Sequence, residues 1–151
     1  MPTLTLTTKL NATPAQCFDT SRNLDLHVSS MAHTGEKAVA GRTTGLIEMG
    51  EQVTWEARHF GVRQRFTSKI TAFDPPRYFQ DSMVKGAFHA FVHDHYFDQI
   101  PDGTLMKDVI TFQSPLGFLG RVVDHFFMAA YLERLIQARN LAIKEGVEGP
   151  P

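Results

Sequence analysis

Residues 89–98, HAFVHDHYFD, place three histidines within ten residues of a segment that alternates like a β-strand. Strand side chains point to opposite faces with period two. His89, Phe91, His93, His95 and Phe97 therefore share one face, and Ala90, Val92, Asp94, Tyr96 and Asp98 share the other. Imidazoles spaced this way suit four kinds of chemistry. Paired with carboxylates, they satisfy buried hydrogen bonds. At one end of an apolar pocket they orient a ligand's hydroxyl or carbonyl groups. A histidine whose tautomer is held by an aspartate is a general base. His93 and His95 could also ligate a metal, with His59 or Asp108 completing the set, although no established metal motif surrounds them.

The whole chain narrows the choice. Its 151 residues suffice for a single domain, taken as 1–146 with 147–151 as a flexible tail. A net charge of −1 gives no electrostatic basis for nucleic-acid binding, and Arg58, Arg63, Arg65 and Lys69 read as a solvated sheet face. The single Cys17 excludes an intramolecular disulfide and a cysteine-cluster zinc site. No apolar run approaches the roughly 18 residues of a membrane helix, and the first residues lack a signal-peptide pattern. The expectation is a cytoplasmic protein that does not insert into membranes. Twelve phenylalanines imply a large aromatic interior.

Elements that would position the histidines follow from periodicity. Residues 3–10 alternate Leu4, Leu6 and Leu10 against Thr and Lys, which predicts a strand. Thr13, Pro14 and Gln16 form a capping pattern for a short helix to about Arg22, with a second over Leu24 to Met31. Strands are then predicted near 36–40, 45–49, 52–60, 62–73, 77–84, 87–99 and 103–113. Gly61, Asp74-Pro75-Pro76, Lys85-Gly86 and Pro101-Asp102-Gly103 punctuate them as an antiparallel meander. Ser114-Pro115 starts a long final helix, expected over 115–145 and stopped by Gly146. Phe126, Phe127 and Met128 read as core there, and Gly117 and Gly120 as close helix–sheet packing.

Meander order lays 77–84, 87–99 and 103–113 side by side. Inward sets are Val53, Trp55, Ala57 and His59; Gln64, Phe66, Ser68 and Ile70; Phe79, Asp81 and Met83; and Met106, Asp108, Ile110 and Phe112. For 87–99 the even face carries Asp94 and Asp98, which are costly to bury unpaired, so the histidine face is placed inward. Asp81, His93, His95 and Asp108 then converge on the concave face, with His59 farther along the sheet.

A strand, two short helices, a long meander and a long terminal helix is the element order of the START-like superfamily, also called SRPBCC or Bet v 1-like. GEQVTWEARHFG (50–61), KITAFDPPRYFQDSMVKGAF (69–88), HDHYF (93–97) and GTLMKDVITFQSPLG (103–117) sharpen the likeness. They resemble a bacterial SRPBCC subfamily, itself uncharacterised, related to polyketide cyclase/dehydrase proteins. The resemblance implies an α+β helix-grip fold, with a curved antiparallel sheet of six to seven strands around the terminal helix and a cavity between them. It implies no shared reaction.

The expected function is binding of a small, mostly apolar, aromatic or lipid-like molecule, without cofactor or metal. Trp55, Phe66, Phe79, Phe91, Ile110, Leu119, Val123 and Phe127 would form the walls, and His59, Asp81, His93, His95 and Asp108 the polar contacts. The alternative is a cyclase-, dehydrase- or hydrolase-like enzyme using His93 or His95 with Asp81 or Asp108.

Overall fold

The computed structural model describes residues 2–114, 119, 122 and 127–149. Seven strands form one antiparallel sheet: β1 (Thr3–Leu10), β2 (Lys37–Gly41), β3 (Gln52–His59), β4 (Val62–Asp74), β5 (Tyr78–Lys85), β6 (Ala90–Ile100) and β7 (Gly103–Gln113). Their spatial order is β1-β7-β6-β5-β4-β3-β2, so β2 to β7 make the expected meander and β1 returns beside its last strand. Turn chemistry sets the registers. His59 pairs with Val62 around Phe60-Gly61, whose φ values of 53° and 74° supply the two positive angles of a type I′ hairpin turn. Register shifts in β2–β3 and β4–β5 mark bulges, which bend strands and help the sheet to curve.

Between β1 and β2 lie α1 (Pro14–Ser21), α2 (Leu24–Ser30) and a single 3-10 turn. The capping box forms as the sequence indicates. Gln16 N–H donates to the Thr13 hydroxyl, and the Gln16 side-chain Oε1 accepts from Thr13 N–H. Asn23 caps α2 by accepting from Asp25 and Leu26 N–H.

The strand expected at 45–49 does not form. Leu46 makes one isolated bridge to Asn23, Leu24 N–H donates to Gly45 and Ile47 N–H to Arg22. The α1–α2 junction thus takes the backbone groups a sheet neighbour would need. Gly45 and Gly50, both at positive φ, bend the chain away at either end.

The final helix, α3 (Ala129–Glu148), crosses the sheet. Its 20 residues span about 30 Å at 1.5 Å per residue. It does not stop at Gly146; the cap is Gly149, at φ 83°. Val147 packs on the core and Glu148 accepts from Asn11 N–H, so these two residues end the helix instead of starting a tail. The readings made for Gly117, Gly120, Val123 and Phe126 fall outside the described residues.

Two apolar clusters fix the sheet against the helices. One joins Phe18 of α1, Phe79, Phe97 and Met106 of the sheet and Ile143 of α3. The other joins Ile110 and Phe112 to Leu132. Phe18 meets Phe73, Phe79 and Phe97 edge-on, at 5.3, 5.3 and 5.6 Å between ring centroids. Phe18→Ala is therefore expected to lower the unfolding free energy in urea by about 3–5 kcal/mol. A loss below about 1 kcal/mol would contradict this packing.

Candidate functional site

The phase of β6 is the one that buries histidines. His93, His95 and Phe97 are buried, while Asp94 faces the other side and accepts from Tyr78 and Gln80. His89, expected on the same inward face, is exposed and precedes the strand. Register places Asp81 opposite His93 and Asp108 opposite His95. Each imidazole nevertheless reaches the diagonal carboxylate. His93 Nε2 lies 2.7 Å from Asp108 Oδ1, and His95 Nε2 lies 2.6 Å from Asp81 Oδ2. The rings stack on each other at 3.7 Å, and His95 stacks on Phe79 at 4.0 Å.

Two residues that the sequence reading missed complete the network. Arg139 and Asn140, adjacent on α3, point into the sheet and are buried. Arg139 donates to Asp108 Oδ1 at 3.3 Å, to the Ser21 carbonyl at 3.4 Å and to His95 Nδ1 at 3.2 Å. Asn140 donates to Asp108 Oδ2 at 2.9 Å and to Thr8 of β1 at 3.3 Å. The signal was present: Leu132, Ile136, Arg139 and Ile143 follow the i, i+4, i+7, i+11 spacing of a core-facing stripe. A charged residue on such a stripe demands a buried counter-charge, and Asp108 supplies it.

Arg139 also decides the tautomers. A guanidinium only donates, so His95 Nδ1 must accept, and its proton sits on Nε2 facing Asp81. Burial, the neighbouring His93 and Arg139 push the His95 imidazolium down to about 4, against the opposing pull of Asp81. Burial would raise the Asp81 carboxyl, but the hydrogen bond from His95 and the surrounding donors bring it down to about 2. Asp108 is held below the usual carboxylate range, because the His93 hydrogen bond and Arg139 outweigh its burial. An ionised carboxylate accepts only, so His93 gives its Nε2 proton to Asp108. His93 Nδ1 has no hydrogen-bond partner among the described residues.

Asp81, His93 and His95 each offer an atom within 4.8 Å of the others, near enough to be considered as a metal-binding trio. Metal binding through His95 Nε2 would move its proton to Nδ1, against the Arg139 donor. The tautomer lock opposes it.

The cluster closes one end of a cavity of about 350 Å³ between the sheet, α2 and α3. Of the residues expected there, Trp55, His59, Phe66, Phe79, Asp81, Phe91, His93 and His95 line it. Asp108 and Ile110 do not. They are fully enclosed, because α3 covers the inner face of β7. Leu119 and Phe127 are 70% and 68% exposed, so they too are removed from the walls. At Phe127 a π-type turn breaks the 3.6-residue phase that would place it inward. Val123 lies outside the described residues. His59 joins a second polar group away from the cluster, with Nδ1 at 2.5 Å from the Tyr131 hydroxyl. Nearby, His27 stacks on Trp55 at 4.2 Å and pairs with Glu36 at 3.3 Å. The Trp55 indole N–H makes no hydrogen bond among the described residues.

Comparison with known proteins bears on the fold. No protein-family model matches the chain, and no curated protein matches it. Solved structures superpose over nearly its whole length. The Thermus thermophilus protein TTHA0849 covers 94% of the chain with 97% of its own, at TM-score 0.72 and 15% identity. Ara h 8.0201 covers 99% with 99%, at TM-score 0.71 and 16% identity. Major latex-like protein 151 from Panax ginseng covers 97% with 97%, at TM-score 0.70 and 15% identity.

The chain has the START-like, helix-grip fold. Within that fold the sheet's concave face and the terminal helix enclose the cavity, and the Asp108 network ties them together. No helix among the described residues is long and apolar enough to cross a membrane.

Two outcomes follow from these electrostatics. Unfolded, His95 titrates near its ordinary 6.5; folded, near 4. Between those values the unfolded state binds more protons, so stability is lost as pH falls through the window. Urea unfolding at pH 5 should therefore yield about 2 kcal/mol less than at pH 8, and equal values would contradict a buried neutral His95. Asp108→Asn removes the charge facing Arg139 and sets an amide against three donors. It should destabilise the protein by about 3–5 kcal/mol in the same assay, and a near-neutral effect would refute the hub.

Proposed function

We propose that this START-like protein, cytoplasmic by the expectation from its sequence, binds a small, mostly apolar, flat molecule in the cavity. Two buried ring nitrogens on the cavity wall, Trp55 Nε1–H and His93 Nδ1, lack partners among the described residues, and this observation carries the reading. Buried polar groups are nearly always paired, so an unpaired donor and an unpaired acceptor on two residues that line one cavity suit a ligand that supplies both. The remaining lining is largely aromatic and aliphatic, with Phe66, Phe79, Phe91, Ile70 and Leu132 prominent. Pockets of this kind take affinity from apolar area and orientation from a few polar groups. Asp81 accepts from His95 and Ser68, and Arg139 donates to Asp108 and His95, so within the polar cluster only His93 Nδ1 is left, among the described residues, for a ligand to pair.

The alternative, an enzyme of cyclase, dehydrase or hydrolase type, is supported by one feature: a histidine held by a buried aspartate.

Trp55 is the sole tryptophan, and it lines the cavity. Excited at that residue, it should transfer energy to N-phenyl-1-naphthylamine, an uncharged apolar fluorophore, with saturation at one site and a micromolar Kd, about −8 kcal/mol. Ala57→Phe, which places a ring in the cavity, should weaken the affinity at least about tenfold, or 1.4 kcal/mol. Absence of saturable binding, or unchanged affinity in a folded Ala57→Phe variant, would contradict the proposal.

A further inference from the structure

We propose that His93 is a general base that removes a proton from a carbon acid held in the cavity, with Asp108 as its positioning residue. The candidate substrate class is a flat, mostly apolar compound with an acidic C–H next to a carbonyl group. This inference rests on the ligand-binding reading above and deepens it.

The two histidines look equivalent in sequence but are not equivalent in the structure. His95 uses both nitrogens: Nε2–H donates to Asp81 and Nδ1 accepts from Arg139. No lone pair remains on it for a substrate. His93 uses only one, Nε2–H to Asp108 at 2.7 Å, and its Nδ1 lone pair is unengaged among the described residues. Its side chain is 7% exposed, yet it lines the cavity. A base oriented by a carboxylate on its far nitrogen is the arrangement that general-base catalysis needs.

The charge balance favours the transfer. With both imidazoles neutral, Asp81 and Asp108 face one guanidinium, which leaves one net negative charge in a buried cluster. A proton arriving on His93 brings that sum to zero, and the imidazolium forms against the Asp108 carboxylate. Asp108 holds the ring and its charge and does not itself take the proton. Among the described residues, the charged or titratable groups around His93 are His95 on its own strand, Asp81 on β5, Asp108 on β7 and Arg139 on α3.

In the step itself, the C–H bond breaks and its electron pair becomes the enolate of the adjacent carbonyl. The proton becomes N–H at His93 Nδ1. Return of that proton to another carbon of the same molecule completes an isomerisation. No oxidant, reductant or further reactant is required. The aromatic lining, with Phe66, Phe79 and Phe91, suits a flat, mostly apolar substrate.

The probe 5-nitrobenzisoxazole tests this without knowledge of the natural ligand. Loss of its C–H proton to a base opens the N–O bond and gives the coloured 2-cyano-4-nitrophenolate, with no other reactant. The wild-type protein should open the ring with saturation kinetics, and kcat/KM should rise with pH on a single ionisation. His93→Gln should lower kcat/KM by about 100-fold and abolish that ionisation. Far-ultraviolet circular dichroism of the variant should show the folded protein, so that the loss is one of proton transfer and not of fold. Probe turnover that is unchanged in a folded His93→Gln variant, or no faster than in buffer, overturns the inference and leaves the binding reading standing. Failure of the wild type to bind N-phenyl-1-naphthylamine removes the binding reading and this inference with it. If His93→Gln does not fold, ¹⁵N spectra of the wild-type histidines decide. A bare Nδ1 on His93, perturbed when 2-cyano-4-nitrophenol is added, upholds the proposal; a protonated Nδ1 with a bare Nε2 overturns it.

Discussion

A carboxylate with no exposed surface, Asp108, is the constraint to which the rest of this structure answers. An ionised group in the interior survives only when its lone pairs are filled, and three side chains from two elements fill them. His93 comes from the neighbouring strand, while Arg139 and Asn140 come from the terminal helix. Asn140 reaches on to β1 and Arg139 to the end of α1. One anion thus fixes the rotation of α3 about its axis, its depth in the sheet and the inward phase of β6. Apolar burial by Leu132 and Ile143 supplies driving force without direction, whereas the donors around Asp108 supply direction.

The same network gives the cavity its asymmetry. Arg139 can only donate, and that fact propagates: it makes His95 Nδ1 an acceptor, sends the His95 proton to Asp81, and leaves His95 neutral and spent. His93, held from its other nitrogen, keeps a lone pair that no described residue engages. Two histidines on one face of one strand therefore end in different chemical states, and the cause is a residue on another element, distant in sequence. The remaining walls are aromatic and aliphatic, and the cluster brings its own hydrogen-bond partners, so an apolar occupant need not pair its charges.

Much of this was legible in the sequence. Strand alternation, turn residues and the capping box place β1, the two short helices and the meander, because each depends on local chemistry. The phase of β6 follows from a cost comparison between burying Asp94 and Asp98 and burying imidazoles. Asp81, His93, His95 and Asp108 converge by that reasoning alone. Other features were not legible, and three of them show why. Segment 45–49 reads as a strand by its apolar residues, yet the α1–α2 junction claims its hydrogen bonds. Phe127 follows a helical period that a π-type turn interrupts. Arg139 looks like an ordinary polar helix residue until its stripe with Leu132, Ile136 and Ile143 is counted. Periodicity sees apolar residues first and passes over a buried cation among them.

On the proposed function, the cavity behind the Asp108-anchored grip of helix on sheet holds an apolar molecule. Native mass spectrometry of the protein isolated from its own host tests this most directly. The expected result is a stoichiometric adduct, released on denaturation, whose liberated species is a small, mostly apolar, flat compound with a polar group. A spectrum containing only the bare chain, from protein that also fails to take up such compounds when they are supplied, would contradict it.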